Sequence, residues 1–196
     1  LMIHGLGGSS RRRGLRRMAL TLLNSGFAVL RLNLRGAGPS RQFAAGSYAA
    51  SCNSDIFPAI EKAREICSLL ASKANSSFAS IPLYGVGISL GGTILLNACL
   101  EYVPSSFGDV ALDGFVCISS PLDLASCSSS IEKPRNMVYQ YWLLKRLIKQ
   151  TLEDPFGIKD SENDVLVKKN NLNIPLVSSI RSFDSFITAP RWDYKN

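Results

Sequence analysis

Short, continuous apolar runs alternate along this chain with longer stretches in which apolar residues recur every third or fourth position. Leu1-Met2-Ile3 reads as the first strand. Leu15, Met18, Ala19, Leu22 and Leu23 then fall at i, i+3, i+4, i+7 and i+8, one face of a helix. Gly26 follows as its C′ residue. Phe27–Leu32 reads as the next strand and Arg35–Ser40 as a tight loop after it. Ile56, Ile60, Ala63, Cys67 and Leu70 mark a second helix face, with Pro58 near its start, where proline is tolerated. Ala71–Ser80 reads as a polar loop, Ile81–Val86 as a strand, Thr93–Leu100 as a helix and Leu112–Ile118 as a further strand. Strand and helix in strict alternation predict an α/β protein, a mostly parallel sheet with helices on both faces. Such sheets bind ligands at the carboxyl ends of their strands.

The alternation stops after Pro121. Residues 122 to about 175 show no convincing strand. Pro134 opens a helical stretch with Met137, Tyr141, Leu144 and Ile148 on one face, widened by Val138, Tyr139, Trp142, Leu143 and Leu147. Lys145, Arg146 and Lys149 lie opposite. This stretch is expected to be a helical cap, with Met137, Tyr141 and Leu144 lining a pocket for an acyl chain. The alternative is an ordinary core helix with a polar face. The expected organisation is a single domain, with a core over 1–121 and about 176–196 and a cap over about 122–175.

The chemistry concentrates in Gly87-Ile88-Ser89-Leu90-Gly91, a G-x-S-x-G pentapeptide between an apolar strand and a helix. A strand that turns sharply into a helix holds the serine at the tip of a strained elbow, its hydroxyl exposed at the sheet edge. The helix directs free N–H groups and the positive end of its dipole at the same place. A second motif, His4-Gly5-Leu6-Gly7-Gly8, follows the first strand. In an α/β-hydrolase this turn supplies one oxyanion N–H, and the residue after the nucleophile supplies the other. Ser89 is therefore the expected nucleophile, and the amides of Leu6 and Leu90 the expected oxyanion donors. Each such donor stabilises the tetrahedral intermediate of acyl transfer by about 3 kcal/mol.

Composition narrows the alternatives. A chain of 196 residues is long enough to bury a core. No apolar run reaches the roughly 20 residues a membrane-spanning helix needs, so no transmembrane segment is expected. Five cysteines at irregular spacing, three of them (Cys67, Cys99, Cys117) in apolar runs, suggest core thiols, a reducing compartment and a cytoplasmic setting. The net charge is +7, and Arg11, Arg12, Arg13, Arg16 and Arg17 are its densest cluster. No aromatic residue or nucleic-acid motif accompanies them, so they read as a solvated loop and helix start, and no nucleic-acid partner is expected. One histidine and no clustered ligands argue against a metal. Neither a P-loop nor a complete dinucleotide fingerprint is present, and no cofactor is expected. Ser130-x-x-Lys133 lacks the companion motifs of penicillin-binding enzymes, and Ser129-x-x-Glu132 offers a capping box instead. Asn75-Ser76-Ser77 fits a glycosylation sequon, with nothing else to support secretion.

The order and spacing of His4–Ser10, Asn33-Leu34-Arg35-Gly36, Gly85–Gly92 and Ser119–Leu124 resemble the YheT-like α/β-hydrolases. Phe183-Asp184-Ser185-Phe186-Ile187-Thr188-Ala189-Pro190 looks like that family's Asp-x-x-x-Thr-Ala-Pro segment. The resemblance implies cofactor-free serine hydrolysis of lipid or short-chain esters, with Ser89, Leu6 and Leu90 in the roles given above. It also implies that the triad acid and histidine follow the Thr-Ala-Pro segment. The sole histidine, His4, belongs to the oxyanion turn, and Asp123 reads as structural. The chain is thus expected to be a piece of a longer enzyme, with N- and C-terminal parts of the fold missing, and inactive alone. Two alternatives remain: an acyltransferase on the same fold, and a non-catalytic binding protein. Oligomeric state is not legible.

Overall fold

A computed structural model describes residues 1–74, 81–102, 111–167 and 175–194. The chain groups into two compact units, one of Leu1–Leu34 and Ala50–Ser120, the other of Arg35–Ala49 and Pro121–Asn196. Residues from 176 onward, expected with the core, fall in the second unit, as does the segment after the second strand.

The first unit is a parallel sheet of β1 (Met2–Ile3), β2 (Arg31–Leu32), β3 (Tyr84–Ile88) and β4 (Gly114–Ile118), in the order β2-β1-β3-β4. Met2 and Ile3 pair with Arg31 and Leu32 on one side and with Val86 and Gly87 on the other. β2 is shorter than the expected Phe27–Leu32, because a ladder extends only as far as both its strands run. Three helices connect the strands: α1 (Arg13–Asn24), α2 (Asn53–Lys73) and α3 (Leu90–Glu101).

The two-residue period of β3 assigns its faces. Val86 and Ile88 point to one side, where Met2 packs with Leu15 and Ala19 of α1. Gly85 and Gly87 point to the other, against α3. A Cβ on Gly85 would lie 2.7 Å from Leu95 Cδ2, and one on Gly87 2.6 Å from the Gly92 nitrogen. The missing side chains let α3 lie directly on the strand. α2 packs on α3 and buries Ile56, Ile60, Ala63, Cys67 and Ala71. Helices therefore cover both faces, the α/β-hydrolase arrangement. Full burial of an isoleucine such as Ile3, Ile60 or Ile94 contributes about 1.5–3 kcal/mol.

The helix ends follow local chemistry with some shifts. Gly26, at φ 88°, ends α1. Its N–H bonds to Leu23 O at 3.0 Å and the N–H of Phe27 to Leu22 O at 3.0 Å, a Schellman motif. Leu23, expected on the inner face, is exposed. α2 runs on through Lys73, past the expected boundary at Leu70, because buried Ala71 continues its apolar stripe. The rest of the expected polar loop, with the Asn75 sequon, lies outside the described residues.

The described part of the second unit is helical: α4 (Leu124–Ile131), α5 (Met137–Leu152), α6 (Asp160–Val167), α7 (Ile180–Phe183), a π-helical turn (Asp184–Thr188) and α8 (Ala189–Arg191). α5 buries Leu143, Leu144, Leu147 and Thr151 and packs on α7. The expected capping box at Ser129 does not form. Ser129 lies inside α4, its hydroxyl accepting from Arg181 Nη2 at 2.9 Å, and Glu132 Oε1 lies 3.7 Å from Arg181 Nε. Asp123 caps the start of α4, accepting the N–H of Ser126 at 2.9 Å. The π-helical turn precedes Pro190, whose ring cannot continue an α-helical hydrogen-bond ladder. Near the end of α8, Arg191 and Glu162 form a buried two-pronged ion pair, Nε–Oε1 at 2.6 Å and Nη2–Oε2 at 2.9 Å. Arg191 Nη1 also donates to Ser47 Oγ at 3.3 Å, and Trp192 Nε1 to Ser47 O at 2.8 Å.

Candidate active site

The order β2-β1-β3-β4 reverses direction between β1 and β3. The connection from β1 leads outward one way to β2, and the later strands build the other way. Ligands of open parallel sheets bind in the crevice beyond the strand ends at such a switch point. The turn after β1 carries His4–Gly8, and the turn after β3 carries Ser89.

Ser89 has φ 54° and ψ −130°, a conformation a side chain rarely adopts. It is anchored on both sides: its N–H donates to Ile118 O at 2.8 Å, and its carbonyl accepts from Gly92 N at 2.9 Å. The elbow is also crowded. A Cβ on Gly91 would lie 2.7 Å from Ile3 O, and one on Gly92 2.9 Å from Ser120 Cβ. The first turn of α3 therefore sits directly on the exits of β1 and β4. Ser89 Oγ has no hydrogen-bond partner among the described residues, and Ser89 itself is half-buried.

Gly5 brings the two turns together. A Cβ there would lie 2.8 Å from Ser89 Cβ and 3.4 Å from Ser89 Oγ, so the backbone of the His4–Gly8 turn rests against the serine side chain. The turn closes through Gly8 N–H to Gly5 O at 2.9 Å, with Gly7 at φ 61°. Leu6 lies in this turn and Leu90 opens α3; both are half-buried. Among the described residues, neither backbone N–H donates to a backbone acceptor.

His4 is almost fully buried, at 2 % exposure. Its Nε2 lies 3.2 Å from the Leu34 nitrogen, which has only a proton to offer, so Nε2 is the acceptor. Nδ1 then carries the ring proton and donates it to Gly5 O at 2.9 Å. Burial lowers the His4 pKa below its ordinary 6.5; the Gly5 bond opposes this and the Arg12 charge reinforces it. His4 is thus a neutral brace of the turn, with both nitrogens engaged. Sequence reasoning assigned His4 to this turn without its partner. It also missed Asn33, whose Oδ1 accepts Ser10 N–H at 2.8 Å, and Arg31, whose Nη1 donates to Ser10 O at 2.7 Å. Nothing in the spacing signals these cross-turn bonds. Ser119, at φ 51°, is a second strained serine at a strand end, also unsignalled.

The other candidates belong to the second unit. Asp123 is committed to its cap: hydrogen bonds from the Ser126 hydroxyl and backbone lower its pKa. Asp184 is raised by burial, an effect its bond from Thr188 Oγ1 at 2.9 Å opposes. The Asp-x-x-x-Thr spacing is thereby an internal brace of the π-helical turn. Of the expected pocket residues, Leu144 is buried, whereas Met137 and Tyr141 are 57 % and 66 % exposed. The five cysteines are free thiols. Among the described residues no group of His, Cys, Asp and Glu is assembled to hold a metal ion, and no helix is long and apolar enough to cross a membrane.

The chain is 34 % identical to "Putative esterase YheT" of Escherichia coli over 112 residues, 57 % of this chain and 30 % of that protein. It is 23 % identical to phospholipase ABHD3 of Bos taurus over 197 aligned residues, 100 % of this chain and 42 % of that protein, with the same figures for the Homo sapiens protein. It thus spans well under half the length of these relatives. No solved structure matches it at the same stringency. The sequence profile described as serine aminopeptidase, S33, matches residues 1–190, taking in both turns of the switch point and the Thr-Ala-Pro segment. The chain belongs to this family of α/β-hydrolases.

Proposed function

We propose that the protein is a serine carboxylic-ester hydrolase acting on lipid or short-chain esters through an acyl-enzyme on Ser89. The observation that carries this reading is the strained Ser89 turn at the switch point, with the Gly5 backbone against its side chain. Ser89 Oγ attacks the ester carbonyl carbon and loses its proton to a base. The resulting oxyanion is held by the N–H groups of Leu6 and Leu90, aided by the positive end of the α3 dipole. Collapse expels the alcohol, which takes up the proton. Water then attacks the acyl-enzyme, releasing the carboxylic acid and restoring Ser89. His4 is not the base, since both its nitrogens are engaged. It is also the only histidine in these 196 residues. The esterase and phospholipase names of the relatives support ester substrates. A cytoplasmic setting goes with the free thiols.

The test is labelling by a fluorophosphonate probe together with turnover of p-nitrophenyl esters by the complete gene product. Ser89→Ala is expected to abolish both while leaving the fold intact. Undiminished turnover in a folded Ser89→Ala protein would overturn the assignment. The family's aminopeptidase members favour a second reading, amide hydrolysis by the same acyl-enzyme. Turnover of a p-nitroanilide matching or exceeding that of the p-nitrophenyl ester of the same acyl group would support it.

A further inference from the structure

Helix α1 begins against its own electrostatics. Arg11, Arg12, Arg13, Arg16 and Arg17 crowd its first turns, and all five are exposed. The first turn holds no acidic residue, and Arg12, the N-cap, makes no side-chain cap bond. Among the described residues no carboxylate pairs with any of the five. A helix N-terminus is the positive end of the dipole and disfavours cations, and the five guanidiniums repel one another. Stability gains nothing from this arrangement. Anions bound there would relieve both effects.

Two further observations narrow the anion. First, the cluster follows the oxyanion turn on the same strand-end edge as Ser89, close enough for the Arg12 charge to act on His4. Second, the outward face is not uniformly basic. Arg13, Arg16, Arg17 and Leu20 share the side opposite buried Leu15 and Ala19, and Leu20 is exposed. Guanidiniums ahead of an outward leucine suit a surface that is anionic outside and apolar beneath. A nucleic acid would use the charges but not the leucine, and no aromatic residue lies among the arginines for base stacking.

We propose that α1 docks this protein on an anionic lipid bilayer, its arginines on the headgroup phosphates and Leu20 at the acyl boundary. Guanidiniums bind phosphate oxygens in a two-pronged fork. The contact is electrostatic and weakens with salt, because exposed charges are screened over about 8 Å at physiological ionic strength. Each arginine near such a surface strengthens partitioning by about five-fold. The five together contribute on the order of 10³-fold.

The test is cosedimentation of the complete gene product with vesicles of phosphatidylcholine, with and without phosphatidylglycerol. This reads binding alone and does not depend on Ser89 being the nucleophile. The expected result is partitioning onto phosphatidylglycerol vesicles that falls as sodium chloride is raised, with little onto phosphatidylcholine. Arg13→Gln and Arg17→Gln should each weaken it by about five-fold, and Arg13→Lys and Arg17→Lys should keep most of it. These positions are solvent-facing, so the variants should fold, which circular dichroism checks. Equal partitioning onto both vesicle types would overturn the proposal, as would wild-type binding by the glutamine variants. Binding to duplex RNA without partitioning onto phosphatidylglycerol vesicles would also overturn it, reassigning the face to nucleic acid.

Discussion

His4 Nε2 accepts the backbone N–H of Leu34 at 3.2 Å, joining two turns 30 residues apart. Only the neutral ring can do this while donating from Nδ1 to Gly5. The folded-state pKa lies below the ordinary 6.5 through burial. The stability His4 contributes is therefore fully present above about 6.5 and is lost as pH falls through the depressed folded value. His4→Gln should cost about 1–3 kcal/mol near neutral pH by disturbing a buried bond. It should also remove that acid-side loss. Melting temperatures of both proteins across this range provide the check; an unchanged pH profile in the variant would refute the assignment.

Strain at Ser89 should be measurable as lost stability. Its φ of 54° and ψ of −130° suit glycine. A strained residue of this kind costs about 1–3 kcal/mol, against about 0.5–1 kcal/mol for the extra chain entropy of glycine. Ser89→Gly should therefore be more stable than wild type by about 1 kcal/mol. Ser89→Ala, which keeps a Cβ, should gain less. Urea denaturation of the three proteins gives the order directly.

Two glycines predict opposite signs for the same substitution. Gly91→Ala places a methyl group against the carbonyl oxygens of Ile3 and His4, which are backbone and cannot swing away. It should destabilise by about 1–3 kcal/mol and reduce ester turnover by shifting the turn that carries Leu6. Gly14, in the first turn of α1, has no atom within 4 Å of a Cβ position. Gly14→Ala should stabilise by up to about 1 kcal/mol, as alanine does in helices. Matching signs for the two in thermal melts would contradict the packing described.

The α5 side chains separate support from substrate contact. Leu144→Ala should cost about 2–5 kcal/mol, since Leu144 is buried. Met137→Ala and Tyr141→Ala should change stability by no more than about 0.5 kcal/mol, both being largely exposed. If these two meet an acyl chain, their truncation should shift the preferred length of p-nitrophenyl esters. Unaltered chain-length preference would leave them as surface residues.

The sequence showed what is decided locally. The elbow was legible because Gly87, Ser89 and Gly91 sit at fixed offsets between an apolar strand and a helix. Gly26 was legible because its role depends only on the preceding turn. The inner face of α5 was less so: nearly every position from Met137 to Leu144 is apolar, and a 3.6-residue period cannot choose between adjacent faces when both are hydrophobic. The structure favours Leu143, Leu144 and Leu147. The capping box at Ser129 did not form because α4 runs on through Ile131 and takes Ser129 into its body, where Arg181, 52 residues away in the chain, reaches the hydroxyl. The His4–Leu34 and Ser10–Asn33 bonds were invisible for the same reason, since each joins turns that only the assembled sheet brings together.

The bonds of Arg191 and Trp192 to Ser47 span 144 and 145 residues. A ribosome adding roughly 5–20 residues per second makes Ser47 on the order of 7–30 s before Arg191 exists. Until then Ser47 lacks the side chains of Arg191 and Trp192, to which it bonds in the finished fold. A nascent-chain binding protein that recognises exposed segments would find residues 35–49 accessible long after the neighbouring strands have been made. A stall just short of Trp192 would leave Ser47 O without the indole N–H that it accepts in the finished fold.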